Sequence, residues 1–269
     1  MTNPTECGII YMSRGSGLQS PMTEREEKKM NIMVFDTETA GCCTQTLLNI
    51  GYCIADIDLT TFKYKILKGR DYLIGKHYKN RLWLLNDMFV KAEKLAKFDL
   101  NVESGTAILR TEKQIFEQMA RDIDRYGIQY GFAYNCQFDE DKFRRTATAL
   151  NLPNPLDKIE VVDIWTNAQL AICATEDYIA FCNEHQLRTP SGKYIPTSVE
   201  GVTAFLNDDK EFVEDHTALS DVQWELRILC ELGKRGCNIF QAPTHNGCLT
   251  PEGEWVFPFH KKKAVDEDA

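Results

Sequence analysis

The chain has 269 residues, 43% of them hydrophobic and 26% charged, which is enough to bury one large core or two small ones. Its formal charge of -9 gives an acidic surface that repels polyanions, so any role on nucleic acid has to be local, carried by metal ions or a basic patch. No run reaches the ~18 apolar residues of a membrane helix, and the first residues lack the basic start and apolar stretch of a secretory signal, which predicts a cytoplasmic protein.

The ten cysteines include no C-x-x-C pair and read as reduced, mostly buried thiols. Adjacent Cys42 and Cys43 raise redox control as the rarer alternative to ordinary packing. Residues 1–30 are polar and charged, end in "MTEREEKKM", and are predicted to be a flexible extension outside the folded core; Met22 and Met30 are plausible alternative starts. The main domain is expected over 31–235, followed by a C-terminal extension over 236–269 that ends in the solvated tail "HKKKAVDEDA".

"NIMVFDTE" (31–38) has the β-branched and aromatic bias of a buried strand. "LLNIGYCIADID" and "FKYKILKGRDYLI" follow across the polar turn "LTT" and suggest an antiparallel meander of three strands. "WLLNDMFVKAEKLAKF" repeats apolar residues three and four apart, as does "TEKQIFEQMARDIDRYG", which opens on Thr111 as an N-cap. "IQYGFAYN" is a fourth strand, "FDEDKFRRTATALNL" a helix that stops before Pro153, and "IEVVDIW" a fifth strand. The remainder is largely helical at "NAQLAIC", "DYIAFCNEHQ", "SVEGVTAFLN" and "TALSDVQWELRILCELGKRG", with "RTPSGKYIPT" (188–197) as a protruding turn or hairpin. A meander followed by alternating helix and strand predicts one mixed α/β domain with helices around a central five-stranded sheet.

Acids gather where these elements end. Asp36 and Glu38, two apart, leave a central strand toward one side, and strand ends are where α/β folds build sites. Asp139 repeats the layout after the strand that runs out at Asn135, although an acid at a helix start also has the plainer explanation of the helix dipole. His216 and Asp221 flank the start of the last long helix, close enough to converge on one point. Carboxylates gathered this closely repel, by about 4 kcal/mol for a unit pair at 4 Å even at an effective dielectric near 20. Such a site needs cations, and hard oxygen ligands suit Mg²⁺ or Mn²⁺.

In order and rough spacing, "FDTET", then N-x-x-F-D (135–139), then "HTALSD" (216–221) resemble the three motifs of the DEDDh branch of the DnaQ-like 3′–5′ exonucleases. The resemblance spans residues 31–234, with 188–197 as an insertion. It implies the ribonuclease H-like fold and a metal-dependent exonuclease that releases nucleoside 5′-monophosphates from the 3′ end of single-stranded DNA, or of RNA. It also implies the roles: Asp36 bridging two divalent cations, Glu38 and Asp221 on one, Asp139 on the other, His216 taking the proton from the attacking water, the backbone around Thr37 and Thr39 holding the terminal nucleotide, and Asn135 orienting Asp139 or binding nucleotide. With no polymerase domain in the chain, proofreading would need a partner. Over residues 62–81, seven Lys or Arg face one Asp with aromatics interleaved, which suits a single strand of nucleic acid and equally suits a solvated edge strand. A binding protein that keeps this fold without hydrolysis is the competing expectation.

Overall fold

The computed structural model describes residues 28–41, 46–87, 90–243 and 247–257. Cys42 and Cys43, almost all of the N-terminal extension and the charged tail lie outside them. Among the described residues no helix is long and apolar enough to cross a membrane.

The expected meander is present. β1 (Lys29–Ala40), β2 (Thr46–Asp58) and β3 (Tyr64–Ile74) pair antiparallel in sequence order. Two short helices, α1 (Gly75–Tyr78) and α2 (Arg81–Leu85), then α3 (Ala92–Glu103), lead to β4 (Ala107–Arg110). Helix α4 (Glu112–Tyr126), β5 (Tyr130–Ala133), α5 (Cys136–Leu150) and β6 (Glu160–Asp163) follow. The sheet order is β4-β3-β2-β1-β5-β6, with β4 parallel to β3, β5 parallel to β1 and β6 parallel to β5. The sheet therefore has six strands rather than the expected five. β4 escapes sequence reading because its four residues, "AILR", are wedged between a helix and the cap of the next and show almost no alternation.

Thr111 does cap α4, and does so reciprocally: its hydroxyl accepts from the Gln114 amide while the Gln114 side chain accepts from the Thr111 amide. The single helix expected over 83–98 is two, because "ND" at 86–87 favours a turn and Asn86 folds back to donate from Nδ2 to the Leu82 carbonyl at 2.7 Å. The chain continues through α6 (Ile164–Ala168), a π turn at Gln169–Cys173, α7 (Glu176–Glu184), α8 (Val199–Asn207) and α9 (Ala218–Lys234). Segment 188–197 does not simply protrude. Ile195 is buried and its amide donates to the Leu249 carbonyl at 2.8 Å, joining the segment to the hairpin of β7 (Cys248–Leu249) and β8 (Trp255–Val256).

β1 is buried on both faces, and its alternation sorts the two halves of the core. Met33 and Phe35 pack with Phe116 and Met119 of α4 and Phe143 of α5. Ile32 and Val34 pack on the opposite side with Val222, Leu226 and Leu229 of α9. The same alternation sends Asp36 and Glu38 toward α9 and Thr37 toward α5.

Helix α9 is seated on β2 by two features. A Cβ on Gly51 would lie 2.3 Å from the Ala218 carbonyl carbon and the Leu219 nitrogen, so the helix backbone rests directly on the strand. Asn49, wholly buried, accepts the Ala218 amide at 2.8 Å, a capping bond that Thr217 does not make, and donates from Nδ2 to the Tyr72 carbonyl and to Asp71 Oδ1. Gly51→Ala is therefore expected to destabilise the fold by about 3 kcal/mol. Gly69→Ala on β3, whose new methyl would meet only Leu219 at 3.6 Å, is expected to be nearly neutral. Urea denaturation distinguishes them, and equal midpoints for the two variants would contradict this seating.

Candidate metal centre

Three segments deliver the site. β1 supplies Asp36 and Glu38. The approach to α9 supplies His216, whose backbone lies in the left-handed region at φ 53°, and α9 itself supplies Asp221. The loop before α9 is held by Lys97 of α3, which donates to the Asp215 carbonyl at 3.1 Å and to its carboxylate at 2.9 Å. Atoms of Glu38, His216 and Asp221 lie within 4.8 Å of one another, close enough to share one cation. They face a cleft of about 690 Å³ that Asp36 and Asn135 also line.

Asp139 is placed differently. It lies on the α5 side of β1, is 2% exposed, and its Oδ1 accepts the Thr37 hydroxyl at 2.5 Å. Its helix starts where Asp163, at the end of β6, accepts the Asn135 and Cys136 amides at 2.8 and 3.2 Å and also caps α6. Thr37 is thus occupied with Asp139, Asn135 lines the cleft, and Thr39 lines a neighbouring cleft of about 550 Å³ that shares Glu38 and His216.

Sequence reading missed three residues that matter here. Glu225 is four positions after Asp221, on the same face of α9, and lines the cleft while almost wholly buried; the spacing in "SDVQWE" was its only signal. Glu214 lines the cleft as well. Lys94 of α3 reaches Glu38, Nζ to Oε2 2.6 Å, and nothing local in the sequence places α3 against β1.

Burial and mutual repulsion act on the acids together. Burial first, then the charges of Glu214 and Glu38, push Asp221 up to about 8, with Lys94 opposing. Burial pushes Asp139 up to about 7 against the Thr37 hydrogen bond, and Glu214 to about 7 with help from Glu200 and Glu38. Asp36 and Glu225 are held well above the usual carboxylate range, by burial and then by Asp139. Asp221 Oδ1 and Glu225 Oε2 are buried and without a hydrogen-bond partner. Unpartnered buried carboxylate oxygens are costly unless something positive meets them, so this donor set fits a hard divalent cation.

The basic stretch 62–81 does not line this cleft. Arg70 pairs with Asp122 at 3.0 Å, Lys76 with Glu112 at 2.6 Å, and Arg81 with Asp99. Lys65 and Lys68 lie along β3 before its pairing with β4 begins at Asp71, as expected of a solvated edge.

No family model matches the chain, and no curated protein matches it. Among solved structures it is similar to the Ppx/GppA family member of Aquifex aeolicus, at 15% identity and a TM-score of 0.24. That similarity covers 57% of this chain and 40% of the other. The expectation of a DEDDh exonuclease is corrected here: no family model and no curated protein supports it. The 3′–5′ exonuclease activity falls with it. The physical reason is that acids at strand ends specify a seat for cations, and such a seat recurs on unrelated folds with different substrates.

The raised carboxylates carry a pH dependence. Their folded pKa values exceed the unfolded value near ~4, so the stability they allow is present at low pH and is lost as pH rises from there through about 8. Glu112, pushed down to about 2, has the opposite sign but acts only below that window. Freed of divalent ions, the protein should melt at a lower temperature near pH 8 than near pH ~5.5. Mn²⁺ should restore about 5 °C or more at the higher pH and little at the lower. Calorimetric scans at both pH values with and without a chelator check this; a melting temperature indifferent to Mn²⁺ at both would contradict the metal centre.

Proposed function

We propose that the protein is a divalent-metal-dependent hydrolase acting on phosphate esters or phosphoanhydrides. The observation that carries this reading is the pair of buried, unpartnered carboxylate oxygens of Asp221 and Glu225 in the cleft that Glu38 and His216 also line. A carboxylate-rich set with one imidazole suits Mg²⁺ or Mn²⁺, which bind a few protein oxygens together with substrate phosphate, better than zinc with its nitrogen and sulfur ligands. Two such ions would supply the positive charge that draws a phosphate into an acidic cleft and offsets the charge developing as its ester bond breaks.

The chain's own residues do the rest. Asp36, Glu38 and Asp221 would hold the ions, with Asp139 joining from the far side of β1 and Glu225 adding charge beneath them. His216, exposed at the rim and held by its neighbour's bond to Lys97, would take the proton of the attacking water. The cleft lining is partly aromatic: Tyr134 donates to the Thr197 carbonyl at 2.7 Å and Trp165 to the Thr197 hydroxyl at 3.1 Å. Those rings, fixed by their polar ends, suit the organic part of an ester. We further propose that the sheet is ribonuclease H-like, on the support of the antiparallel meander followed by parallel strands on the free edge of β1.

A panel of nitrophenyl phosphate mono- and diesters and inorganic pyrophosphate, with Mg²⁺, Mn²⁺ or a chelator, tests the reading. The expected result is hydrolysis of at least one class that stops on chelation, and loss of about 100-fold or more in both Asp221→Asn and His216→Ala. Activity that survives the chelator, or is undiminished in Asp221→Asn, would sink it.

A further inference from the structure

We propose that Lys94 is a built-in counter-ion: its ammonium occupies the position beside Glu38 that a divalent cation would take, so that metal loading is an exchange in which Lys94 is displaced. The inference rests on the metal-dependent reading above and concerns how that site is regulated.

The geometry is specific. Lys94 reaches from α3, an element that contributes no acid to the cluster, and places Nζ 2.6 Å from Glu38 Oε2, with both side chains mostly shielded from water at 14% and 18% exposure. Glu38 is also the carboxylate grouped with His216 and Asp221. Three residues on, Lys97 ties α3 to Asp215, beside His216. α3 thereby lies across both chain segments that form the site, and the two lysines hold them together while no metal is bound.

Glu38 Oε2 is engaged by Lys94 at hydrogen-bond distance, and Glu38 also offers a carboxylate oxygen to the group with Asp221 and His216, so a divalent ion held there would lie close to the ammonium and repel it. On the proposed exchange, binding the ion breaks the Lys94–Glu38 bond and one positive charge leaves. The ammonium has somewhere to go, since Lys94 also lines the neighbouring 550 Å³ cleft with Lys91 and Lys97. Once released, it adds a positive charge to that cleft, next to the bound metal, where an anionic substrate group would meet it. The exchange thus couples metal occupancy to anion affinity on the α3 side of the site.

Isothermal titration of metal-free full-length protein with Mn²⁺ alone tests this, using wild type, Lys94→Gln, Lys94→Met, Lys94→Arg and, as a control for overall charge, Lys113→Gln on the exposed face of α4. Removing the resident cation should tighten Mn²⁺ binding in Lys94→Gln and Lys94→Met by about 10-fold or more, while Lys94→Arg and Lys113→Gln stay within about threefold of wild type. Circular dichroism melts confirm that each variant is folded, and having two neutral variants keeps the test valid if one is not. Unchanged or weaker binding in the folded neutral variants would overturn the exchange, because a lysine that only positions Glu38 predicts weaker binding on its loss. Failure of every protein, wild type included, to bind Mn²⁺ would overturn the metal site and this inference together; tight binding by wild type with no gain in the neutral variants would overturn the inference alone.

Discussion

The contact between α9 and β2 governs the geometry of the site. Gly51 lets the first turn of the helix rest on the strand backbone, and Asn49, buried beneath it, gives that turn its missing acceptor. Because Asn49 also donates to β3, one side chain sets the height of the helix above two strands at once. Asp221 and Glu225 are one and two turns further along α9, so their position relative to Glu38 on β1 follows from that seating. A buried amide satisfied on three sides is stiff, and a metal site needs its ligands held to within about half an ångström.

What such stiffness holds in place is unfavourable by itself. Five acids, Asp36, Glu38, Asp139, Asp221 and Glu225, gather around the end of β1, and four of them are pushed toward the protonated form by burial and each other's charge. The fold tolerates this with two local devices. Thr37 gives Asp139 a short hydrogen bond, and Lys94 gives Glu38 an ion pair. Neither reaches the unpartnered oxygens of Asp221 and Glu225. Sites that stay strained in the absence of a ligand are commonly functional, since natural sequences otherwise avoid uncompensated buried charge.

Much of this was legible in the sequence because the signals are local. The alternation of Ile32, Met33, Val34 and Phe35 sorts the core, and the same alternation puts Asp36 and Glu38 on one side and Thr37 on the other. Thr111 announces a helix start as an N-cap ahead of a periodic apolar run. The failures have the opposite character, since each depends on what lies across space. β4 is a strand because β3 offers an edge, which "AILR" cannot show. Lys94 matters because its side chain reaches Glu38 of β1 from α3, and Ile195 is buried because Leu249 meets it from 54 residues away. The basic stretch suited a nucleic-acid strand and a solvated edge equally, and only the partners across space decide: Arg70, Lys76 and Arg81 are engaged by Asp122, Glu112 and Asp99. Three short motifs were enough to find the acids and not enough to say what they act on.

The central claim is that Glu38, Asp221 and their neighbours exist to seat divalent cations, and anomalous scattering from a crystal soaked in Mn²⁺ tests it most directly. The account predicts a peak about 2.1–2.2 Å from a carboxylate oxygen of Glu38 or Asp221, with the Lys94 ammonium moved away from Glu38. Diffraction at the manganese edge that shows no peak in the cleft, with Lys94 still bonded to Glu38, would contradict it.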